Sequence, residues 1–420
     1  MTHKSLLSTI LTLLSLSLIA LATTTTTSSS IPETDYDVIV VGGGPSGLSA
    51  LSSLARVRRR AAIFDSGEYR NAPTREMHDV IGNDGTPPSQ FRALARTQIQ
   101  RYPSVSIHDS KIVSIVSSSP NTNPNTNTST SNSNSNFIPT FHATTSTGQT
   151  YTARKIILGT GLVDLLPANV PGLLDAWGKG IWWCPWCDGW EHRDEPLGIL
   201  GSLVDVMGSV LETHTLYDDV VAFTNGSDTL ANRATLEQKY SSWEAKLKAW
   251  NVTIDDRPIH SIERLQDGDG VDDHEDQDSQ GRVFDLFRLH FVDGSTVDRG
   301  TFITNYPTAQ RSDLPAQLGI KMEDGKVDTS DYSGMRTSVS GVFAVGDCNS
   351  DGSTNVPHAM FSGKRAGVFV HVEMSREEST AAISKRERDF DRRALEKQTE
   401  RMVGDEMEVL WKRVLEMHKY

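Results

Sequence analysis

A glycine-rich turn constrains the fold of this chain more than any other segment. It follows the apolar stretch Tyr36–Val41, which is typical of a buried strand, and it precedes Ser46–Val57, whose apolar residues recur at helical spacing. Gly42, Gly44 and Gly47 within the turn satisfy the pattern Gly-x-Gly-x-x-Gly. A strand, such a turn and a helix in this order predict a dinucleotide-binding unit, and therefore an α/β fold built on a Rossmann-like sheet.

Each glycine has a separate role in such a unit. The first permits the tight turn, the second lets a pyrophosphate approach the backbone, and the third lets the helix pack against the strand. Pro45 and Ser46 complete the turn and belong to the predicted cofactor site. The next predicted strand, Arg60–Asp65, ends about twenty residues after Gly47, so the Asp65 carboxylate is expected to hold the ribose hydroxyls of the adenosine.

The second informative feature is the pair Cys184 and Cys187, separated by Pro185 and Trp186. Two thiols at this spacing can close a disulfide within one turn, and such cysteines often have a pKa below the usual value of about 8.5. The thiolate is the form that attacks disulfides, so the motif indicates redox chemistry. The alternative is half of a zinc site, but Cys348 is distant in sequence and no His-x-x-x-His pair accompanies it.

Length and charge limit the classes of function. A chain of 420 residues is long enough for two cored domains, and its net charge of -13 argues against nucleic acid or an anionic membrane surface as a partner. Three cysteines cannot form a disulfide framework, which favours a catalytic role for the pair over a structural one.

Some segments are predicted to lie outside the folded domains. Residues 1–22 have a short basic start, an apolar stretch and an Ala-Leu-Ala end, which predicts a secretory signal peptide, a location in the secretory pathway and a secreted product. A retained membrane anchor is the alternative. Residues 23–34 are predicted to be a Ser- and Thr-rich linker. Residues 117–136, almost wholly Ser, Asn, Thr and Pro, are predicted to be a disordered insertion.

Four motifs occur along the chain in the order found in low-molecular-weight thioredoxin reductases. They are Val41–Ala50, Gly159–Gly161, Cys184–Asp188 and Gly341–Asp347. The chain resembles that family over residues 35–372, and the resemblance implies two dinucleotide-binding domains. The implied division is a first FAD-binding segment at 35–165, an NAD(P)H-type domain carrying the cysteine pair at 166–298, a second FAD-binding segment at 299–375 and a charged helical tail at 376–420.

The same resemblance implies FAD as the cofactor and assigns roles to individual residues. Cys187 is expected to face the isoalloxazine ring, Cys184 to exchange with the external substrate, and Asp188 to serve as acid or base. Asp347 is expected to contact the ribityl or phosphate part of the flavin. The implied FAD site also includes Asn71, His78, Thr160, Gly346 and His358. The His358 imidazole could also take protons from an incoming dithiol, with a hydrogen-bonded structural histidine as the alternative.

The glycine turn expected to bind NADPH departs from the family pattern. The predicted strand Leu197–Leu200 leads into a turn in which Leu203 stands at the second glycine position and Val206 at the third. Their side chains are expected to occupy space that the pyrophosphate and the helix–strand contact require. The segment Thr224–Asp228 contains no basic residue for a 2′-phosphate. NADPH is therefore expected to bind poorly, with a distorted site that still binds as the alternative.

Loss of the nicotinamide route favours electron flow from a dithiol substrate to FAD and on to O2, with H2O2 formed. The chain resembles fungal thioredoxin-reductase-like dithiol oxidases of the gliotoxin-oxidase type, and Tyr69–Pro73, Met77–His78 and Asn355–Ala359 are the matching features. The resemblance implies a small-molecule or peptide dithiol as substrate, such as a secondary metabolite, a homodimer, and no nucleic acid. An NADPH-dependent disulfide reductase and a flavin-binding protein without turnover are the alternatives.

Tryptophans surround the cysteine pair, at Trp177, Trp182, Trp183, Trp186 and Trp190. They could form an apolar wall for an aromatic or cyclic-peptide substrate, while aromatic packing between domains is the alternative. Cys348 is expected to be a buried small residue.

Overall fold

The computed structural model describes residues 31–118, 138–268, 281–330 and 333–417. The predicted signal peptide lies outside these residues, as do most of the predicted linker and nearly all of the predicted insertion at 117–136. The chain divides into two units. One comprises residues 35–117 and 141–371 and contains every described strand. The other comprises 1–34, 118–140 and 372–420, and its described part is mainly the C-terminal length of the last helix.

The strands of the described chain are β1 (Tyr36–Val41), β2 (Ala61–Phe64), β3 (Val105–His108), β4 (Ile112–Ser117), β5 (Phe141–Thr145), β6 (Thr150–Leu158), β7 (Leu162–Asp164), β8 (Ile181–Trp182), β9 (Leu197–Leu200), β10 (Val220–Phe223), β11 (Val252–Asp255), β12 (Ile259–Gln266), β13 (Leu286–Phe291), β14 (Thr296–Arg299), β15 (Thr301–Thr304), β16 (Thr308–Gln310), β17 (Met322–Glu323), β18 (Lys326–Val327) and β19 (Val342–Ala344). The α-helices are α1 (Pro45–Arg56), α2 (Pro88–Ile99), α3 (Leu173–Ala176), α4 (Leu203–Thr213), α5 (Leu230–Lys239), α6 (Trp243–Ala249), α7 (Leu314–Gln317) and α8 (Val356–Met417).

The sheet of the first domain has seven strands in the order β3-β2-β1-β6-β5-β4, and β19 also pairs with β6. Strand β6 pairs through its first residues with β5 and through its last three residues with β19. Ile39, Phe64 and Ile156 are buried in one cluster with Val342 and Ala344 of β19. The segment that follows the second domain therefore completes the core of the first, as the resemblance implied.

Helix α1 packs on its neighbours through glycine. A Cβ atom at Gly47 would lie 1.9 Å from the Gly42 carbonyl oxygen, and one at Gly363 would lie 2.0 Å from the Ser46 carbonyl oxygen. Backbone therefore meets backbone on both sides of the helix, which is possible only without side chains at these two positions. The first contact fixes α1 against the glycine turn, and the second fixes α8 against α1.

The second domain contains a five-stranded parallel sheet in the order β11-β10-β9-β15-β8, and an antiparallel sheet of β12, β13 and β14. The boundary predicted at residue 298 falls before β15, whereas the structure places this strand in the second-domain sheet. The reason is packing, because Phe302 and Ile303 are buried in the two clusters of that domain. The chain passes between the domains at β7 and β16, which pair antiparallel.

Helix α8 continues from the first domain into the predicted charged tail at 376–420, so the tail is not a separate helix. Within the described ranges, no helix combines the length and the apolar character needed to cross a bilayer.

Gly47→Ala is expected to lower the free energy of unfolding by about 1–3 kcal/mol, because the added methyl group must displace backbone. Gly208→Ala in α4 is the matched control. A Cβ atom there meets nothing within 4 Å, so helix propensity alone should leave stability unchanged or raise it by up to about 1 kcal/mol. Denaturant unfolding followed by circular dichroism measures both, and equal effects of the two substitutions would contradict the proposed packing.

Candidate functional site

The turn after β1 forms a cradle with room for a phosphate group. Gly42 has φ +103°, and a Cβ atom there would lie 2.2 Å from the Gly159 carbonyl oxygen. At Gly44, by contrast, a Cβ atom would meet nothing within 4 Å. Gly44 is the N-cap of α1 and provides no side-chain cap. The helix therefore begins beside open space, which suits the pyrophosphate of a dinucleotide.

This cradle is part of a cleft that also reaches the cysteine pair. The predicted cofactor residues that line it are Gly42, Gly44, Pro45, Ser46, Asn71, Thr160 and Asp347. Further polar and charged residues line it without having been assigned from the sequence: Ser66, Glu68, Arg70, Lys111 and Arg311. Only Arg70 carried a signal, because it lies within the matching segment Tyr69–Pro73. A phosphate cradle that continues into a largely apolar cleft with several polar and charged residues fits FAD.

Two of the predicted glycines act through the backbone instead of lining the cleft. The role of Gly47 is the contact with Gly42 described above. Gly346 has φ +69°, and a Cβ atom there would lie 2.7 Å from Ser46 Oγ. Its N–H donates to Ser362 Oγ at 2.8 Å, which ties the turn before Asp347 to α8.

Asp65 is buried beside the glycine turn, where a Cβ atom at Gly43 would lie 2.0 Å from its Oδ2, but it does not line the described cleft. Its carboxylate accepts hydrogen bonds from the Tyr69 hydroxyl at 2.6 Å and from Arg96 Nη1 at 3.0 Å. A buried carboxylate requires such partners. Ser66 and Glu68, which follow it, line the cleft, and the contact of Asp65 with a ribose stays a prediction.

Arg70 holds Asp347 in place. Its Nε and Nη2 donate to Asp164 at 3.0 and 2.6 Å, and its Nη1 donates to Asp347 Oδ2 at 3.0 Å. The guanidinium also lies over the Trp183 ring, 5.2 Å from its centroid. A charge-assisted hydrogen bond of this kind fixes the orientation of the Asp347 carboxylate. Arg70 therefore positions the residue that the resemblance places against the flavin.

Cys184 and Cys187 form a disulfide with their Cα atoms 5.2 Å apart. The turn Pro185–Gly189 is π-helical, a local geometry that is frequent at functional sites. The N–H groups of Cys187 and Asp188 both donate to the Cys184 carbonyl oxygen, at 3.0 and 3.2 Å. Cys187 lines the described cleft and Cys184 does not. One cysteine thus faces the cofactor cleft, which leaves the other for the substrate.

The tryptophans near the pair divide into two groups. Trp182 is fully buried and donates from Nε1 to Thr301 Oγ1 at 2.7 Å, while Trp177 and Trp183 stack with ring centroids 4.9 Å apart. Trp186 and Trp190 are 63% and 59% exposed. Domain packing therefore explains the first group, and only the second remains available as a substrate wall.

Asp188 lines a separate cavity of 240 Å³, together with Arg75, His78, Glu191 and His192. Removal from water raises the pKa of the Asp188 carboxyl to about 7, and the nearby imidazoles of His192 and His78 oppose this shift only in part. A carboxyl group with such a pKa can donate or accept a proton at neutral pH. His78 therefore lines the cavity of the acid–base group and not the described cleft, and its role in binding the cofactor stays a prediction.

His358 is likewise not among the described residues that line the cleft, although Asn355 and Ala359 on either side of it are. Residues four apart share one face of a helix, so His358 points to another face. Its backbone N–H donates to Asn355 Oδ1 at 2.8 Å, and its Nε2 lies 2.7 Å from Asp351 Oδ2. The imidazole thus pairs with Asp351, and the catalytic and cofactor-binding roles of His358 stay predictions.

The second glycine turn differs from the first in contacts that the sequence did not reveal. Leu203 and Val206 are buried in the core of the second domain, so their side chains do not fill the phosphate space as predicted. Instead, the N–H of Leu203 at the start of α4 donates to Ser227 Oγ at 2.9 Å. Asp205 in the same helical turn lines the adjacent cavity of 840 Å³, and burial raises its pKa. A phosphate there would meet a carboxyl group and a helix amide that is already bonded.

A potential partner for a 2′-phosphate is also engaged. Arg233 follows β10, but its Nε and Nη2 donate to the two oxygens of Asp228, and its Nη1 donates to Glu244. The guanidinium is thus neutralised within the protein.

Comparison with known proteins agrees with this geometry. Residues 36–222 match the family model for pyridine nucleotide-disulphide oxidoreductases. The chain is 49% identical to a probable thioredoxin reductase of Arthroderma benhamiae, over 91% of this chain and 92% of that protein. It is 32% identical to thioredoxin reductase tcpT of Claviceps purpurea, over 80% and 94%.

Solved structures show the same fold. The crystal structure of HlmI superposes with a TM-score of 0.67 at 26% identity, over 84% of this chain and 96% of that one. A putative thioredoxin reductase TrxB from Bacillus anthracis gives a TM-score of 0.64 at 23% identity, over 82% and 99%.

Asp188→Asn is expected to slow reduction of the Cys184–Cys187 disulfide by dithiothreitol about 100-fold or more at pH 8. The raised pKa of Asp188 means that its carboxylate, the form that accepts a proton, is lost as the pH falls through about 7. The wild-type rate should therefore fall over that range, and this limb should be absent in the variant. Asp194→Asn, at an exposed position in the same segment, is the control. Identical pH profiles for wild type and Asp188→Asn would exclude the acid–base role.

Proposed function

The chain belongs to the thioredoxin reductase-like pyridine nucleotide-disulphide oxidoreductases. From this premise we propose that it is a dithiol oxidase, which converts a dithiol substrate to a disulfide at Cys184 and Cys187. It is an enzyme, and proteins of its family are FAD-binding flavoproteins. The observation that carries the proposal is the second glycine turn, where Ser227 caps the helix and Asp205 faces the cavity. A reductase would require NADPH phosphates at that place.

The chain's own residues perform the exchange. The first substrate thiol gives its proton to Asp188, its sulfur bonds to Cys184 Sγ, and the broken disulfide leaves Cys187 as a thiolate in the cofactor cleft. After Asp188 has released the first proton, the second substrate thiol gives its own proton to Asp188 and its sulfur bonds to the first substrate sulfur. Cys184 leaves as a thiolate, which completes the substrate disulfide and leaves both cysteines reduced. Bound FAD supplies the two-electron acceptor that reoxidises the pair, and we propose O2 as the final oxidant with H2O2 formed.

The substrate is proposed to be a small-molecule or peptide dithiol with an apolar portion. Trp186, within the cysteine motif, and Trp190, three residues after Cys187, present large exposed apolar surfaces. Exposed aromatic rings of this size commonly form part of a binding surface. Members of the family are typically dimeric, and we propose a homodimer.

An NADPH-dependent disulfide reductase is the second candidate. The printed names of the fungal relatives, thioredoxin reductases, favour it. The electrostatics of the second glycine turn oppose it, because reductase chemistry needs the anionic cofactor to bind there.

Anaerobic titration of the purified flavoprotein separates the two. Dithiothreitol is expected to bleach the flavin absorbance, and air is expected to restore it with formation of H2O2, whereas NADPH should leave the spectrum unchanged. Cys187→Ser should abolish the bleaching by dithiol, because no disulfide can form. Bleaching by NADPH would instead establish the reductase.

Cys348→Ala is the matched cysteine control for that experiment. Cys348 is buried and apart from the pair, and its thiol donates to the carbonyl groups of Leu158 and Val345. Burial raises its pKa, so it has little thiolate with which to react. Reduction of the flavin should be preserved in this variant, and reduction that persists in Cys187→Ser would refute the mechanism.

We also propose that the protein enters the secretory pathway, on the strength of the apolar segment at residues 1–22. Expressed at full length in a eukaryotic host, it is expected in the medium with an N-terminus near Thr23. Mass spectrometry of the N-terminal peptide tests this, and an intact Met1 on a protein retained in the cytosol would refute it.

A further inference from the structure

We propose that His78 and Glu191 relay protons between Asp188 and solvent through the cavity that all three residues line, so that Asp188 can accept a second proton within one catalytic cycle. The proposal rests on the dithiol exchange proposed for Cys184 and Cys187, but not on the identity of the final oxidant.

The chemistry of the exchange creates the need for such a relay. Two thiols of the substrate each lose a proton as their sulfur forms a new bond, and the two electrons of the substrate pass to the enzyme disulfide. Asp188 carries only one proton at a time. After the first exchange step it must release that proton before the second thiol can use it as a base.

The cavity provides room for the transfer. Its volume of 240 Å³ accommodates several water molecules, and its lining includes Asp188, Glu191, His78, His192 and Glu76. Glu191 Oε2 and His192 Nδ1 are buried and have no hydrogen-bond partner among the described residues. Buried polar atoms of this kind usually bond to ordered water.

The positions of the side chains lead from the interior to the surface. His78 Nδ1 lies 3.6 Å from Glu191 Oε1 and 3.6 Å from Asp84 Oδ2, and its Nε2 lies 3.9 Å from Glu76 Oε2. The side chains of Glu191 and His78 are 18% and 16% exposed, whereas those of Glu76 and Asp84 are 41% and 67% exposed. These separations are slightly longer than direct hydrogen bonds, so a bridging water or a small rotation of the imidazole completes each step.

Arg75, His192 and Asp285 belong to a second network beside the cavity. Asp285 accepts hydrogen bonds from Arg75 and Arg264, and His192 lies 3.8 Å from both Asp285 and Glu195. This network connects the loop before α2 to the second domain and has a structural role. His78 and Glu191 contact neither arginine in the described ion pairs, and they line the same cavity as Asp188.

The acidities of the two carboxyl groups suit exchange in both directions. Burial raises the pKa of Glu191, and burial also raises the pKa of Asp188 to about 7. Both shifts have the same direction, so each carboxyl group holds a proton more readily than an exposed one and can take part in proton transfer.

The test measures disulfide reduction without using the flavin. The holoenzyme is mixed anaerobically with dithiothreitol, quenched with an alkylating reagent, and analysed by mass spectrometry for reduced Cys184 and Cys187. His78→Gln and Glu191→Gln are each expected to slow completion of the exchange about 10-fold or more at pH 7. Added imidazole should restore most of the rate in His78→Gln, because a small base can enter the cavity and replace the missing relay.

His142→Gln, at an exposed position on β5, is the control and should behave as wild type with or without imidazole. Flavin content and near-ultraviolet circular dichroism check the fold of each variant. Wild-type rates in both His78→Gln and Glu191→Gln, or losses that imidazole does not rescue, would overturn the relay. Failure of the wild-type disulfide to react with dithiol would instead refute the proposed function.

Discussion

The contact between the glycine turn and helix α1 is the constraint on which the rest of the site depends. Because Gly47 carries no side chain, α1 starts directly against the Gly42 carbonyl, and its N-terminus opens into the space left by Gly44. On the other side of α1, the absence of a side chain at Gly363 lets the backbone of α8 contact the Ser46 carbonyl group. The turn that carries Asp347 precedes α8 and is tied to it through Ser362. Two segments separated by the whole second domain thereby form one cleft.

The two domains show how one fold can bind or reject an anion. Both place a helix after a glycine-containing turn at the end of a strand. In the first domain the helix N-terminus faces open space without a side-chain cap, whereas in the second it is capped by Ser227 and flanked by Asp205. Partial positive charge at a helix N-terminus attracts phosphate only when its N–H groups are available. This difference favours dithiols over NADPH as the source of electrons.

Burial gives Asp188 its chemistry. An exposed aspartate has a pKa near 4 and is a weak base at neutral pH, while removal from water raises the pKa of this one to about 7. In the proposed cycle this carboxyl group must also return its proton to solvent. The polar cavity beside Asp188, with the exposed acids Glu76 and Asp84 close to His78, suits that transfer.

The sequence by itself determined the elements whose signal is local. The strands Tyr36–Val41 and Leu197–Leu200 were predicted with the bounds that the structure shows, because apolar runs before a glycine-containing turn indicate buried strands. The glycine turn, the cysteine pair and the two-domain fold were predicted from spacing and resemblance, and the family and fold are confirmed by the relatives and solved structures. Side-chain partners distant in sequence were decided only by the tertiary structure. Asp65 is bonded to Tyr69 and Arg96, His78 lies with Asp188, and Ser227 caps α4. Each depends on how separate segments pack, and a pattern of residue types along the chain carries no information about such distances.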